Sequence, residues 1–224
     1  MNATTGFSQC LVHHGVASML KNIFSRSKEG KKQNLPIVVV SGLPRSGTSM
    51  MMKMLAEGGL EIISDAVRGA DEDNPNGYFE LEPVKQLTAG HHQWLANADG
   101  KVVKIISSLL EYLPREHHYK IIFMERELQE VLASQQKMLK NRQEQSQVSD
   151  SEMYNQFEEH LAAIKYWLAR QPNMDVLYVS YNRMLSDPKA ACAKIAEFAG
   201  GTLNVDKMAA TPNPSLYRNR VTNN

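Results

Sequence analysis

Ile37-Val-Val-Val-Ser-Gly-Leu-Pro-Arg-Ser-Gly-Thr-Ser-Met50 is the stretch whose reading decides the fold. A β-branched run leads into a turn bracketed by Gly42 and Gly47. A Met- and Leu-rich helical pattern (Met51, Met52, Met54, Leu55) follows and stops at Gly58-Gly59. A buried strand, a glycine-bounded loop and a helix N-terminus in that order form an anion cradle. The first-turn N–H groups lack intrahelical partners and, with the helix dipole, face whatever occupies the loop. The spacing approaches the phosphate-loop pattern G-x-x-x-x-G-K-S/T, but Thr48 takes the position of its lysine and the loop's cation is Arg45, three residues earlier. An enzyme acting on a γ-phosphoryl group needs that lysine together with a metal. The loop is therefore built for a smaller charge than a triphosphate, held by arginine and main-chain N–H groups without magnesium.

The bulk numbers bound the rest. The 224 residues suffice for one well-filled α/β domain. A formal net charge of +1 gives no polyanion-binding surface, so no nucleic-acid partner is expected and any basic site is local. Cys10 and Cys192 form no metal-ligand pattern and are expected to be reduced thiols of a cytoplasmic protein. No apolar run reaches the roughly 18 residues of a membrane span, and no basic segment precedes an apolar one as in a secretory signal.

Working outward, residues 1–34 are expected to be an N-terminal helix and linker, with residues 35–224 the main domain. Val12, Val16, Met19, Leu20 and Ile23 fall at helical spacing, followed by basic residues. Such a helix either packs on the domain or makes peripheral contact with a membrane surface. After the opening unit and a short apolar piece, Leu60 to Ile63, comes a long polar stretch from Asp65 to Glu80 with strong turn chemistry at Asn74-Pro-Asn-Gly77. Its length predicts a functional lid or binding loop. Helical patterning resumes from Pro83 to Leu95. Val102 to Ile106, Lys120 to Met124 and Val176 to Val179 read as strands, and Leu128 to Leu139 as a helix. The segment from Asn141 to Ser149 reads as a polar loop. Ser149-Asp-Ser-Glu152 predicts a capping box opening a helix that runs to Gln171-Pro172. Asp187-Pro188 predicts another helix start, closed by Gly200-Gly201. Alternating strands and helices predict a three-layer α/β/α sandwich on a mainly parallel sheet, with ligands beyond the carboxyl ends of the strands, where the Gly42–Ser49 loop, Lys104 and Arg126 would lie.

Gly42-Leu-Pro-Arg-Ser-Gly-Thr-Ser49 resembles the 5′-phosphosulfate loop of sulfotransferases that use 3′-phosphoadenosine-5′-phosphosulfate (PAPS). Their core, P-K/R-S-G-T-S/T, is matched by Pro44, Arg45, Ser46, Gly47, Thr48 and Ser49. The family's 3′-phosphate site is a strand-end arginine with a serine eight residues later, and Arg126 and Ser134 have that spacing. The segment from Tyr178 to Pro188 is similar to the family's Y-E-x-L/M-x-x-D/N-P, whose tyrosine borders the nucleotide and would here be Tyr181. The resemblance spans residues from about 36 to 201. It implies PAPS as cosubstrate, no metal, and transfer of the sulfuryl group to a hydroxyl or amine. Catalysis would then rest on positioning and on cations aimed at the leaving phosphate. Arg45 is the candidate for the leaving-group oxygen, and Lys104 resembles the family's second lysine near the sulfuryl group.

The chain departs from the cytosolic members of that family. Their general-base histidine follows the second lysine by two residues, where this chain has Ile106. The pairs His91-His92 and His117-His118 are out of register with it. A carboxylate is the expected base, with Glu80 chosen over Asp71, Glu72, Asp73 and Glu82. Arg218, in the C-terminal Asn213 to Arg220 stretch, is a candidate for the 3′-phosphate. Two other readings are a kinase-like phosphotransferase, disfavoured by Thr48, and a catalytically silent nucleotide-binding protein. The acceptor would be selected by the 64–95 region and the 141–150 loop.

Overall fold

The computed structural model describes residues 35–213 except 66–68, 72, 73, 75, 76 and 145. The predicted N-terminal helix, Cys10 and Arg218 lie outside the described residues. Strand β1 (Ile37–Gly42) is buried along its whole length because it is the middle of the sheet. It pairs with β3 (Val102–Lys104) on one side and β4 (Tyr119–Glu125) on the other. The two-residue β2 (Ile62–Ile63) and β5 (Met174–Ser180) form the edges, in the order β2-β3-β1-β4-β5. Every pairing is parallel.

A strand's side chains alternate between faces, so a central strand of a covered parallel sheet must be apolar on both. Ile37 and Val39, with Val103, Ile121 and Phe123, face one core. Over it lie helix α3 (Asp150–Leu168), through Ile164 and Leu168, and three 3-10 helical segments at Glu82–Ala89, Gln93–Asn97 and Ser107–Tyr112. Helix α2 (Leu128–Asn141) packs against α3. Val38 and Val40, with Val102, Ile122 and Met124, face the other core. There α1 (Thr48–Glu57) inserts Met51, Met52, Met54 and Leu55, each fully buried. Helices α4 (Tyr181–Ser186), α5 (Pro188–Ala199) and α6 (Val205–Ala210) complete that layer through Met184, Ile195 and Met208. Each such buried side chain contributes about 1.5–3 kcal/mol. The three-layer α/β/α arrangement is the one the sequence predicts.

Caps follow the sequence closely. Ser149 Oγ accepts from Glu152 N at 3.3 Å and Ser149 N donates to Glu152 Oε2 at 3.1 Å, closing the expected capping box. Asp187 Oδ1 accepts from Ala190 N at 3.3 Å and starts α5. The helical patterning from Pro83 to Leu95 is realised as two 3-10 segments rather than one continuous helix. Gly90 takes φ 78 and donates to the Gln86 and Leu87 carbonyls, which ends the first 3-10 segment and splits the stretch in two. Helices α4 and α6 have six residues each, fewer than two turns, too short to leave a periodic signal.

Neighbouring β1, β3 and β4 leave the sheet in opposite lateral directions, which opens a crevice at their carboxyl ends. The loop after β1 sits in it.

Candidate functional site

Two glycines let the loop after β1 close. A Cβ on Gly42 would stand 2.6 Å from the Met124 carbonyl oxygen and from Ser46 Oγ, and one on Gly47 would stand 2.5 Å from the Tyr181 ring. Gly47 caps α1 at φ 99, so the helix start faces the loop. Ser46 turns inward, 1% exposed, and its hydroxyl donates to the Leu43 carbonyl at 2.7 Å. This shapes the loop and leaves Pro44 exposed. Arg45 is held at φ 71, a left-handed conformation a non-glycine residue adopts at a cost.

Arg45 Nε donates to Ser134 Oγ at 3.0 Å. The loop's cation thus reaches the buried serine on α2. Arg126, just past β4, donates through Nη1 to the Arg45 carbonyl at 3.2 Å and through Nε to Glu130 Oε2 at 3.0 Å. Its guanidinium carbon lies 4.5 Å from the centre of the Tyr181 ring. Burial pushes the Tyr181 phenol up, against the pull of Arg126. Arg45, Arg126, Ser134 and Tyr181, the residues singled out by the resemblance, therefore meet in one network. The Arg126–Glu130 ion pair, 3.0 Å between Nε and Oε2, is part of this arrangement.

Lys104, at the end of β3, approaches the loop from the other side. Its Nζ donates to the Tyr78 carbonyl at 2.8 Å and lies 3.5 Å from Ser49 Oγ. Asn74 Nδ2 donates to the same Ser49 oxygen at 2.8 Å and to the Gly77 carbonyl at 2.7 Å. Asn74 is thereby tied to the start of α1 and Tyr78 to Lys104. Tyr78 donates its hydroxyl to the Asp71 carboxylate at 2.8 and 2.9 Å. Phe79 takes φ 50, again left-handed, and this turn sets the course of the chain into Glu80. Glu80 is thus two residues from the carbonyl that Lys104 holds, and Glu82 pairs outward with Lys85 at 2.8 Å.

Ile106 is 38% exposed at the position of the family's histidine. His118 meets Asp175 at 3.0 Å before β4 begins, at the amino-terminal end of the strands and away from the loop, and His91 meets Gln86 at 2.7 Å. A histidine that spacing does not single out, His160 on α3, contacts the buried Ser107 hydroxyl at 2.8 Å. Asn74 and His160 escape sequence reading because their partners Ser49 and Ser107 lie 25 and 53 residues away, and Glu130, although only four residues from Arg126, has its second partner, Asn182, 52 residues away. Beside the loop lies a cleft of about 280 Å³ lined by Leu43, Ser46, Met124, Arg126, Lys165 and Asn182. Lys165 also pairs with Glu125 at 2.5 Å. Among the described residues no three His, Cys, Asp or Glu side chains are grouped to hold a metal ion, and no helix is long and apolar enough to cross a membrane.

The family model for the sulfotransferase domain matches residues 35–218, and the chain belongs to that family. Among solved structures it is similar to mouse sulfotransferase SULT7A1 complexed with PAP, at a TM-score of 0.52 and 18% identity, over 80% of this chain and 63% of that one. It also matches the sulfotransferase domain from the curacin biosynthetic pathway, at a TM-score of 0.44 and 12% identity, over 73% of each chain. The chain thus spans under two thirds of the mouse protein's length, and at 18% identity the likeness is one of fold. No curated protein matches it.

Proposed function

We propose that the chain is a PAPS-dependent sulfotransferase acting on a hydroxyl or amine acceptor. The acceptor oxygen or nitrogen attacks sulfur, the bond from sulfur to the 5′-phosphate oxygen breaks, and adenosine 3′,5′-bisphosphate leaves. The carrying observation is the convergence of Arg45, Arg126 and Ser134 at the loop after β1. These donors suit two small phosphates joined by a nucleoside. The mouse relative's complex with PAP is in keeping with this. Main-chain N–H groups with Thr48 and Ser49 would hold the 5′-phosphosulfate, Arg45 the leaving oxygen, and Arg126 with Ser134 the 3′-phosphate. Tyr181 would border the nucleotide, Arg218 would add a second cation to the 3′-phosphate, and Lys104 would steady the sulfuryl oxygens.

For the acceptor's proton we assign Glu80. The Lys104 contact to Tyr78, two residues before Glu80, supports it, since Lys104 is the cation we assign to the sulfuryl oxygens. We take residues 35–224 as the catalytic domain. Cys192, a buried free thiol, supports the cytoplasm as its compartment. The exposed Ile106 favours one second reading, a silent nucleotide binder.

Calorimetry with adenosine 3′,5′-bisphosphate and with magnesium ATP tests the proposal. Metal-independent bisphosphate binding that Arg126→Ala abolishes is the expected result, and a preference for magnesium ATP would overturn it. Turnover that Glu80→Gln removes without loss of bisphosphate affinity separates the enzyme from the silent binder.

A further inference from the structure

Glu130 is a carboxylate on the first turn of α2, with a side chain 2% exposed. Helix formation does not require it there, and burying a carboxylate is costly unless it is paired. Its two oxygens have separate partners. Oε2 accepts from Arg126 Nε at 3.0 Å, and Oε1 accepts from Asn182 Nδ2 at 3.4 Å. Asn182 stands where the family pattern Y-E-x-L/M-x-x-D/N-P has its glutamate. A carboxylate at that position would face Glu130 with like charge, whereas the amide donates to it.

Arg126 is constrained in three directions. Glu130 takes the Nε side, the Arg45 carbonyl takes an Nη1 proton, and Tyr181 covers one face. The Nε of an arginine carries a single proton. Once that proton is committed to Glu130, a phosphate is met through the Nη edge of the guanidinium.

We infer that Glu130 is a positioning residue: by holding Arg126 Nε it fixes which edge of the guanidinium reads the nucleotide's 3′-phosphate. This rests on the proposed assignment of Arg126 to that phosphate. The charge of Glu130 alone would act in the opposite sense, since an anion near a phosphate repels it. The sign of the effect therefore separates positioning from mere proximity.

The test is calorimetric titration of the full chain with adenosine 3′,5′-bisphosphate and with adenosine 5′-monophosphate, the ratio of the two affinities being the readout. The wild type is expected to prefer the bisphosphate by more than about tenfold, roughly one charge-assisted hydrogen bond. Glu130→Ala should reduce that ratio by about tenfold, and the near-isosteric Glu130→Gln, which keeps an acceptor but loses the charge, by about threefold. Affinity for the monophosphate should stay within about threefold in both. An unchanged or increased ratio in Glu130→Gln overturns the inference, as does an equal loss for both ligands. A wild type without preference for the bisphosphate would instead overturn the assignment of Arg126 itself. Should Glu130→Ala fail to fold, Glu130→Gln decides alone.

Discussion

Arg45 Nε donates to Ser134 Oγ at 3.0 Å, joining the loop after β1 to helix α2 across 89 residues of sequence. The cation expected at the leaving 5′-phosphate and the hydroxyl expected at the 3′-phosphate thus belong to one network. A serine hydroxyl has a proton to donate and two lone pairs. Ser134 can accept from Arg45 and donate to a phosphate at the same time. The two ends of a bisphosphate nucleotide would be sensed together.

Ser134→Ala is expected to weaken adenosine 3′,5′-bisphosphate binding by about 1.5–3 kcal/mol, the worth of a hydrogen bond to a charged group. Adenosine 5′-monophosphate should lose much less. Isothermal titration of both nucleotides checks this, and equal losses would contradict the assignment.

Arg45→Ala should act on the chemical step. A donor aimed at charge that grows in the transition state is worth about 10²–10³ in turnover. Bisphosphate affinity should fall by less than about tenfold, as its main-chain contacts remain. Single-turnover transfer from PAPS to a panel of phenols, alcohols and amines supplies the rate.

Lys104 and Asn74 fasten the long polar loop to Ser49. Lys104→Ala is expected to raise amide exchange around Gly77 and Tyr78 by about tenfold or more in the nucleotide-free protein, because surface segments open at low free-energy cost. Hydrogen-exchange mass spectrometry reads it, and unchanged protection would show that other contacts hold the loop.

Alkaline pH should destabilise the fold. Burial pushes the Cys192 thiol up to about 11 and raises the phenols of Tyr119 and Tyr181. These groups keep their protons in the folded state at pH values where the unfolded chain has lost them. Their contribution is complete below the unfolded values and is lost as pH climbs past roughly 9–10, at up to about 1.4 kcal/mol per pH unit for each proton. Urea midpoints at rising pH should be level near neutrality and fall above that window, and Cys192→Ala should soften the fall.

The amino-acid sequence by itself determined the strand-loop-helix unit, both glycine positions, the capping box at Ser149 and the cap at Asp187. The caps rest on interactions a few residues long, so spacing carries them, whereas the two glycines also make room for Met124 and Tyr181 from distant parts of the chain. The Arg126 and Ser134 pair was legible through the resemblance, whose eight-residue spacing fits a strand end followed by two turns of helix. Only the tertiary structure decided that Arg45 meets Ser134, that Asn74 and Lys104 share Ser49, and that Glu130 meets Asn182. Those contacts depend on the order β2-β3-β1-β4-β5, which brings the ends of β3 and β4 to either side of one loop. Periodicity records which face of an element is buried; it holds no record of which element comes to lie beside it.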